Sequence, residues 1–345
     1  MPSFRNALAA AALLASSQGA YAKLDTSSST NVAVYWGQNS YDQSSGSLAQ
    51  QPLAYYCDND DIDVLQLAFL TVINGQGGAP EINFSNSGNN CTTFSGTDLL
   101  NCPQIGADIA TCQSKGKTIL LSIGGATYTE GGFTSESAAV AGANLIWETF
   151  GPKSSNSSAN RPFGDSVVDG FDFDFESTVS NMAAFGNQLR SLMDSDTSKQ
   201  YFLTAAPQCV YPDAADNQML DGAVSFDAIW VQFYNNYCGV NSYTNSSTQN
   251  SFNFDTWDNW AKTNSKNKDV KVFLGVPANT GAAGTGYLPA SSLAPVINYC
   301  KTFSSFGGVM MWDASQAYAN NGFISSVKST LTATVSRIMR RVPLY

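Results

Sequence analysis

The chain has 345 residues, 43% of them hydrophobic, and a formal net charge of −10 at pH 7. This length accommodates one large domain or two small ones, with enough apolar residues for a sizeable core. The acidic charge argues against nucleic acid and anionic membrane surfaces as partners, whereas an uncharged polymer such as a neutral polysaccharide is compatible with it. The sequence contains no histidine, which excludes Ser-His-Asp and Cys-His catalysis and every histidine-ligated metal site.

Residues 1–22 have the pattern of a secretory signal peptide. Arg5 supplies the positive charge, Ala7 to Ala15 form an apolar run, and Ala20-Tyr21-Ala22 matches the small-x-small cleavage pattern. The run is shorter than the roughly 20 apolar residues of a membrane span, and an ordinary N-terminal helix is the alternative. We therefore expect a secreted, extracellular protein, and we leave open an association with a cell wall.

Short apolar runs rich in β-branched and aromatic residues recur along the rest of the chain and predict eight strands. In chain order, these strands are placed at Val32–Gly37, Val64–Val72, Lys117–Gly124, Gly170–Glu176, Tyr201–Pro207, Ala228–Tyr234, Val270–Val276 and Gly308–Asp313.

Helical signals lie between the strands, at residues 98–115, 135–150, 180–193, 257–263, 291–302 and 322–331. Most strands are nearly continuously apolar, as parallel strands covered on both faces are. The alternation predicts an α/β fold, a single-domain (β/α)8 TIM barrel with parallel strands over residues 23–331, followed by a short tail at 332–345. A doubly wound open sheet is the alternative, weakened because no glycine-rich dinucleotide motif follows strand 1.

Export would allow the seven cysteines to form disulfides, with one thiol left over. We expect Cys300 to be a buried free thiol, and the pairs to be Cys91–Cys102 within a long loop, Cys57–Cys112 around it, and Cys209–Cys238 across strands 5 and 6. Four Asn-x-Ser/Thr sequons agree with a glycosylating secretory route, although sequons also occur by chance. They begin at Asn83, Asn90, Asn156 and Asn245.

The stretch Asp169–Glu176 alternates acids with phenylalanines. This period of two predicts a half-buried strand with Asp172, Asp174 and Glu176 on one face; Asp169 has the opposite parity and is interpreted as structural. Like charges this close force at least one carboxyl to keep its proton at a pH where a free one would lose it, as a general acid must. An acidic edge strand and a cation site are the alternatives, but the aromatics argue for burial and the spacing of a calcium loop is absent.

Polar and aromatic side chains gather where the predicted strands end. Catalytic groups of a barrel lie at these carboxyl ends. A single aromatic residue there is more often packing than a substrate contact. Several around one ring favour a sugar-binding cleft, because the C–H faces of sugars stack on aromatic rings. The residues at these ends are Tyr35, Gln38, Asn74, Glu176, Gln208, Gln232, Tyr234, Asn235, Trp312 and Asp313.

The pattern Asp169-x-x-Asp172-x-Asp174-x-Glu176 resembles the signature of glycoside hydrolase family 18. Further matches follow that family's order, at Tyr35–Gln38, Leu121–Gly125, Gln232–Asn235 and Met311–Asp313. Together they make the chain similar to the class III, hevamine-like chitinases of plants and fungi over about residues 30–331. The resemblance implies a barrel that hydrolyses the β-1,4 linkages of chitin. We expect a monomer whose partner is chitin or a chitooligosaccharide, with no cofactor and no metal.

The resemblance also implies a role for each matching residue. Usual retaining glycosidases place a carboxylate nucleophile about 5 Å from the acid, whereas family 18 uses the 2-acetamido carbonyl of the substrate itself. Glu176 is implied as the general acid, Asp174 as the group that orients the acetamido and stabilises the oxazolinium ion, and Asp172 as its proton-sharing partner. Tyr234 donates its hydroxyl to the acetamido oxygen, and Trp312 forms an apolar floor. The implied subsite contacts are Tyr35, Gln38, Gln232 and Asn235.

Two related functions share parts of this pattern. An endo-β-N-acetylglucosaminidase acting on N-glycans has the same acids, but the segments Tyr35–Gln38 and Met311–Asp313 favour a chitinase. A catalytically silent chitin-binding lectin would have lost the acid, whereas Glu176 is present here. Fungal relatives often continue into an anchor signal or a chitin-binding module. Residues 332–345 have neither a cysteine-rich module nor an apolar tail of about 10–20 residues, so a soluble secreted form and a truncated one are both left open.

Overall fold

The structure, a computed structural model, describes residues 24–246 and 248–334. The predicted signal peptide and nearly all of the predicted C-terminal tail lie outside the described residues. Eight parallel strands form a ring: β1 (Asn31–Trp36), β2 (Val64–Val72), β3 (Thr118–Gly124), β4 (Gly170–Asp174), β5 (Phe202–Ala205), β6 (Ala228–Gln232), β7 (Lys271–Pro277) and β8 (Phe306–Trp312).

The ring is closed because β1 pairs in parallel with both β8 and β2. The remaining strands pair with their neighbours in chain order. The predicted (β/α)8 barrel is therefore confirmed, and an open sheet is excluded. Strand β4 is shorter than predicted, because its last pair with β3 joins Gly124 to Asp174, where β3 itself ends. Glu176 consequently lies just beyond the strand.

Helices cover the outside of the ring. They are α1 (Leu53–Cys57), α2 (Pro103–Ser114), α3 (Glu136–Phe150), α4 (Met182–Ser195), α5 (Asn217–Leu220), α6 (Phe254–Thr263), α7 (Ala290–Cys300), α8 (Ala314–Ala319) and α9 (Phe323–Thr332). The six longer helices match the predicted segments. The sequence did not predict α1, α5 and α8, which are too short to show helical periodicity. Helix α2 begins at Pro103, because proline lacks the N–H that a first turn leaves unpaired.

Side chains of the strands alternate between two cores, one between the ring and the helices and one inside the ring. On β4, Phe171 and Phe173 face outward, with ring centroids 6.4 Å from Trp147 of α3 and 5.6 Å from Phe185 of α4. Asp172 and Asp174 face inward. The predicted parity of the acidic stretch thus places both aspartates inside the barrel, where they are 0% and 3% exposed.

The three predicted disulfides are confirmed. They join Cys57 to Cys112, Cys91 to Cys102, and Cys209 to Cys238, and Cys300 is a buried free thiol. The first links α1 to α2, and the third links the segments that follow β5 and β6. All four sequon asparagines are exposed, and their glycosylation stays a prediction. Within residues 24–246 and 248–334, no helix has both the length and the apolarity needed to cross a membrane.

Candidate active site

Asp172 is fully enclosed within the barrel and accepts four hydrogen bonds. One carboxyl oxygen accepts from the hydroxyls of Tyr35 at 2.6 Å and Ser122 at 2.7 Å. The other accepts from Thr204 Oγ1 at 2.7 Å and Trp230 Nε1 at 2.9 Å. These donors come from β1, β3, β5 and β6, so barrel closure brings them together. Hydrogen bonds donated to a carboxylate favour its charged form.

Asp174 lies one strand period further toward the mouth of the barrel. Its Oδ1 accepts a hydrogen bond from Gln232 Nε2 at 2.9 Å, and the same amide donates to the carbonyl of Ala206. The two glycines that follow Ser122 permit this close arrangement. A Cβ on Gly124 would lie 2.3 Å from the carbonyl oxygen of Asp174, and one on Gly125 would lie 2.7 Å from the Phe69 ring. These two contacts give a physical reason for the pair of glycines that ends the Leu121–Gly125 match.

Glu176 projects at the mouth of the barrel, where its side chain is exposed to solvent. The surrounding protein still removes part of its hydration, and this burial raises the pKa of its carboxyl. Glu176 is therefore the acid of the β4 motif that a molecule in solution can reach.

The two buried aspartates, Asp172 and Asp174, differ in the contacts that raise or lower their pKa values. Burial raises the pKa of Asp174 well above its usual range, and the negative charges of Glu176, Asp172 and Asp213 raise it further. Burial also raises the pKa of Asp172, but its four hydrogen-bond donors oppose that rise. Asp174 therefore keeps a proton more readily than Asp172, and Asp172 is the more readily charged member of the pair.

A cavity of about 190 Å³ lies at the carboxyl ends of the strands. Among residues 24–246 and 248–334, the carboxyl groups that line it are those of Asp174 and Glu176. Tyr234 also lines it, and its hydroxyl stays protonated because burial and the charges of Asp174 and Glu176 raise its pKa well above 10. The other lining residues are Gln208, Gln232, Asn235, Asn236, Ala282 and Trp312.

An aromatic cluster supports one side of this cavity. The Trp312 ring lies 5.9 Å from Phe69 in a stacked arrangement and 5.5 Å from Tyr35, measured between centroids. Sequence reasoning missed Phe69, since parity places it on the outer face of β2 with Leu67. The pairing of β2 with β3 shifts register between Ala68 and Leu70, which turns Phe69 into the barrel. No sequence pattern signals that shift.

The predicted subsite residues fall into two groups. Gln232 and Asn235 line the cavity. Tyr35 lies beneath it, 1% exposed, with its hydroxyl bound to Asp172. The Gln38 amide donates to the backbone carbonyls of Ala68 and Asn83, so it connects the segment after β1 to β2 and to the segment that contains Asn83. The structure thus brings the acids, Tyr234, Trp312, Gln232 and Asn235 into one cleft and places Tyr35 and Gln38 around it.

Asp169 lies away from this cleft, at the start of β4. Its carboxyl accepts hydrogen bonds from the backbone N–H of Ile119 and from Gln113 Nε2, and it forms an ion pair with Lys199 at 2.8 Å. These contacts join β3, α2 and the segment before β5. They fit the structural role that its parity suggested.

Comparisons with known proteins agree with this geometry. The model of the family described as "Glycosyl hydrolases family 18" matches residues 31–292. A protein named "Class III chitinase" from Arthroderma benhamiae is 57% identical, over 99% of this chain and 97% of its own length. "Endochitinase 33" from Trichoderma harzianum is 51% identical, over 94% and 98%.

A solved plant structure has the same fold. The xylanase and alpha-amylase inhibitor protein from Scadoxus multiflorus is 32% identical and superposes with a TM-score of 0.68, over 86% of this chain and 97% of its own. The match to the family model, the relatives at more than half identity and the acid-bearing barrel strand lead to one conclusion: the chain belongs to glycoside hydrolase family 18.

Proposed function

We propose that this protein is a chitinase, which hydrolyses β-1,4 linkages between N-acetylglucosamine units by a retaining, substrate-assisted mechanism. The names of its relatives at 57% and 51% identity support chitin as the substrate. One observation carries the mechanism. Among the residues that the structure describes, the cavity has one carboxyl at its mouth, Glu176, and one behind it, Asp174, which is bound to Gln232 and buried.

We assign protonation of the leaving sugar to Glu176. Its raised pKa keeps a fraction of the carboxyl protonated in mildly acidic solution, and a bound sugar would remove more of its hydration and raise that fraction. The protonated carboxyl gives its proton to the glycosidic oxygen as the C1–O bond breaks. The resulting carboxylate later accepts a proton from the water that attacks C1.

The nucleophile is assigned to the 2-acetamido group of the substrate. Asp172 is enclosed by four donors and cannot reach a sugar, while Asp174 is 3% exposed. The acetamido carbonyl oxygen attacks C1 and forms an oxazolinium ion, with Tyr234 donating its hydroxyl to that oxygen. Asp174 accepts the acetamido N–H and stabilises the positive charge. Attack by the carbonyl and then by water inverts C1 twice, so the configuration is retained.

The proton of Asp174 must move for this step. A protonated Asp174 is a poor partner for a cation, whereas an ionised one stabilises it. We assign the transfer to Asp172, which receives the proton as positive charge develops on the sugar. Tyr35, Ser122, Thr204 and Trp230 hold Asp172 in a fixed geometry. One of the hydroxyl donors must turn its proton away when Asp172 becomes protonated.

Trp312, Gln232 and Asn235 are proposed to contact the substrate. Trp312 offers an apolar ring to the sugar face, and the two amides offer hydrogen bonds along the cavity. We also propose that the protein is secreted, since residues 1–22 have the pattern of a signal peptide and three disulfides are typical of exported proteins.

Stereochemistry tests the mechanism directly. Proton NMR of a fresh hydrolysate of N-acetylglucosamine oligomers should show the β-anomer of the new reducing end first. An α-anomer formed first would refute retention. A parallel incubation with an N-glycosylated protein should release no glycan. Release there without cleavage of the oligomers would instead assign the activity to an endo-β-N-acetylglucosaminidase.

A further inference from the structure

A second pair of buried carboxyls lies beside the acids of β4. Asp213 and Asp216 follow β5, in the segment that leads to α5, and are 5% and 0% exposed. Nothing in the proposed mechanism uses them. Buried carboxyls are costly unless they are paired or protonated, so their contacts indicate what each of them does.

Asp213 is bound by backbone N–H groups. Its Oδ2 accepts from Gln208 at 3.0 Å, and its Oδ1 accepts from Ala215 at 2.9 Å and Asp216 at 2.7 Å. Backbone N–H groups can only donate, so all three bonds favour the carboxylate over the protonated acid. Burial raises the pKa of Asp213, and these three bonds oppose that rise. Asp213 is therefore the member of the pair that carries a negative charge more readily.

Asp216 has the opposite environment. Neither of its carboxyl oxygens has a hydrogen-bond partner among the described residues. Burial raises its pKa well above the usual range, and the charges of Asp213, Asp174, Asp172 and Glu176 raise it further. Asp216 is thus a neutral acid next to a charged one, and the pair contributes one fixed negative charge.

The charge of Asp213 acts on the catalytic acids along two routes. It is among the charges that disfavour ionisation of Asp174, together with Glu176 and Asp172. It also holds the backbone of Gln208, which lines the cavity and accepts a hydrogen bond from Asn236 Nδ2 at 2.9 Å. The other ionisable groups that face Asp174 are Tyr35, Tyr234 and Asp216.

We propose that Asp213 is a positioning residue of the active site, whose carboxylate fixes the Gln208 wall of the cavity and whose buried charge adjusts the protonation of the acids on β4. It touches no substrate in this assignment and acts through Gln208 and Asp174. The proposal rests on the hydrolase function proposed above, and it adds an electrostatic element contributed by a different strand end.

The pH dependence of kcat/KM on a soluble N-acetylglucosamine oligomer tests it. Asp213→Asn removes the charge, so Asp174 ionises at lower pH. Because the reaction needs an ionised Asp174, the acid limb should move down by about 0.5–1 pH unit. Asp213→Glu keeps the charge and should leave the limb close to that of the parent. Asp221→Asn removes an exposed charge from the same segment and should leave it unchanged.

Other outcomes would overturn the proposal in distinct ways. If Asp213→Asn lowers kcat while the acid limb stays in place, the residue is only structural. If Asp216→Asn moves the limb as far as Asp213→Asn does, the charge does not belong to Asp213 alone. If Asp213→Asn does not fold, the Asp213→Glu and Asp216→Asn profiles must both coincide with the parent, and a shift in either refutes the assignment. A parent enzyme that fails to cleave the oligomer would instead refute the proposed hydrolase function.

Discussion

Replacing Tyr35 by phenylalanine should weaken both the fold and the catalytic acids. The hydroxyl donates to Asp172 at 2.6 Å inside the barrel, and hydrogen bonds to charged groups contribute about 1.5–3 kcal/mol. Phenylalanine keeps the ring contacts with Phe69 and Trp312, so little else changes. We therefore expect the free energy of unfolding to fall by about 1.5–3 kcal/mol at neutral pH.

The same change should alter the pH profile. The tyrosine hydroxyl is the first of four donors that oppose the raised pKa of Asp172. Removing it raises that pKa, so the charged form of Asp172 is lost at a higher pH than in the parent. The acid limb of the kcat/KM profile should therefore move to higher pH. The rate at the optimum should fall about tenfold if about 1.4 kcal/mol of the lost hydrogen bond stabilises the transition state.

Urea unfolding and pH–rate profiles of the two proteins measure these effects. Tyr56→Phe is the matched control, because Tyr56 is equally buried and its hydroxyl accepts a neutral bond from the backbone of Gln51. The control should lose about 0.5–1.5 kcal/mol and keep the acid limb in place. An acid limb that is the same in Tyr35→Phe and the parent would refute the assignment of charge to Asp172.

Three other measurements probe separate parts of the site. Glu176→Gln should lower kcat at least about 100-fold with an unchanged melting temperature, since the side chain is exposed; residual activity within tenfold of the parent would exclude it as the acid. The free energy of unfolding should be greatest near pH 4 and fall as the pH rises, because the folded chain keeps protons on Asp174 and Asp216 that the unfolded chain releases. Each unit by which folding raises a pKa costs about 1.4 kcal/mol of stability. Asp216→Asn should flatten that slope in calorimetric scans from pH 4 to 8, and an unchanged slope would contradict the buried neutral acid. Phe69→Leu should raise KM about three- to tenfold, because it removes the ring contact with Trp312, which is worth about 0.5–1.5 kcal/mol. An unchanged KM would show that substrate binding on Trp312 does not depend on Phe69.

The fold was predictable because its signals repeat. Eight apolar runs separated by helical segments allow few arrangements, and the parity of Phe171 to Asp174 oriented one strand correctly. Cysteine spacing also gave all three disulfides, since Cys209 and Cys238 follow adjacent strands. Short helices such as α5 were missed, because a single turn is stabilised by its surroundings rather than by its own periodicity.

The candidate site was predictable only where its residues belong to a strand pattern. Thr204 and Trp230 donate to Asp172 because β4, β5 and β6 are in register inside a closed barrel, and no local pattern contains that information. Phe69 required a register shift within β2. Asp213 lies between two predicted strands, in a stretch to which the sequence analysis assigned no element, and its proposed role depends on its burial in the folded chain.

The spacing of the acids on β4 also bears on the choice of nucleophile. A strand advances about 3.3 Å per residue, so Asp172 and Asp174 lie about 6–7 Å apart on one face of β4, and Glu176 follows just beyond the end of the strand. A carboxylate nucleophile must face the acid across the scissile bond, from the opposite side of the sugar. Acids on one face of one strand approach from the same side, and the deepest of them is enclosed by four donors. A strand that alternates acids with phenylalanines can thus supply an acid and a buried charge but not a nucleophile on the opposite side of the sugar. A substrate that carries its own acetamido group therefore suits this site.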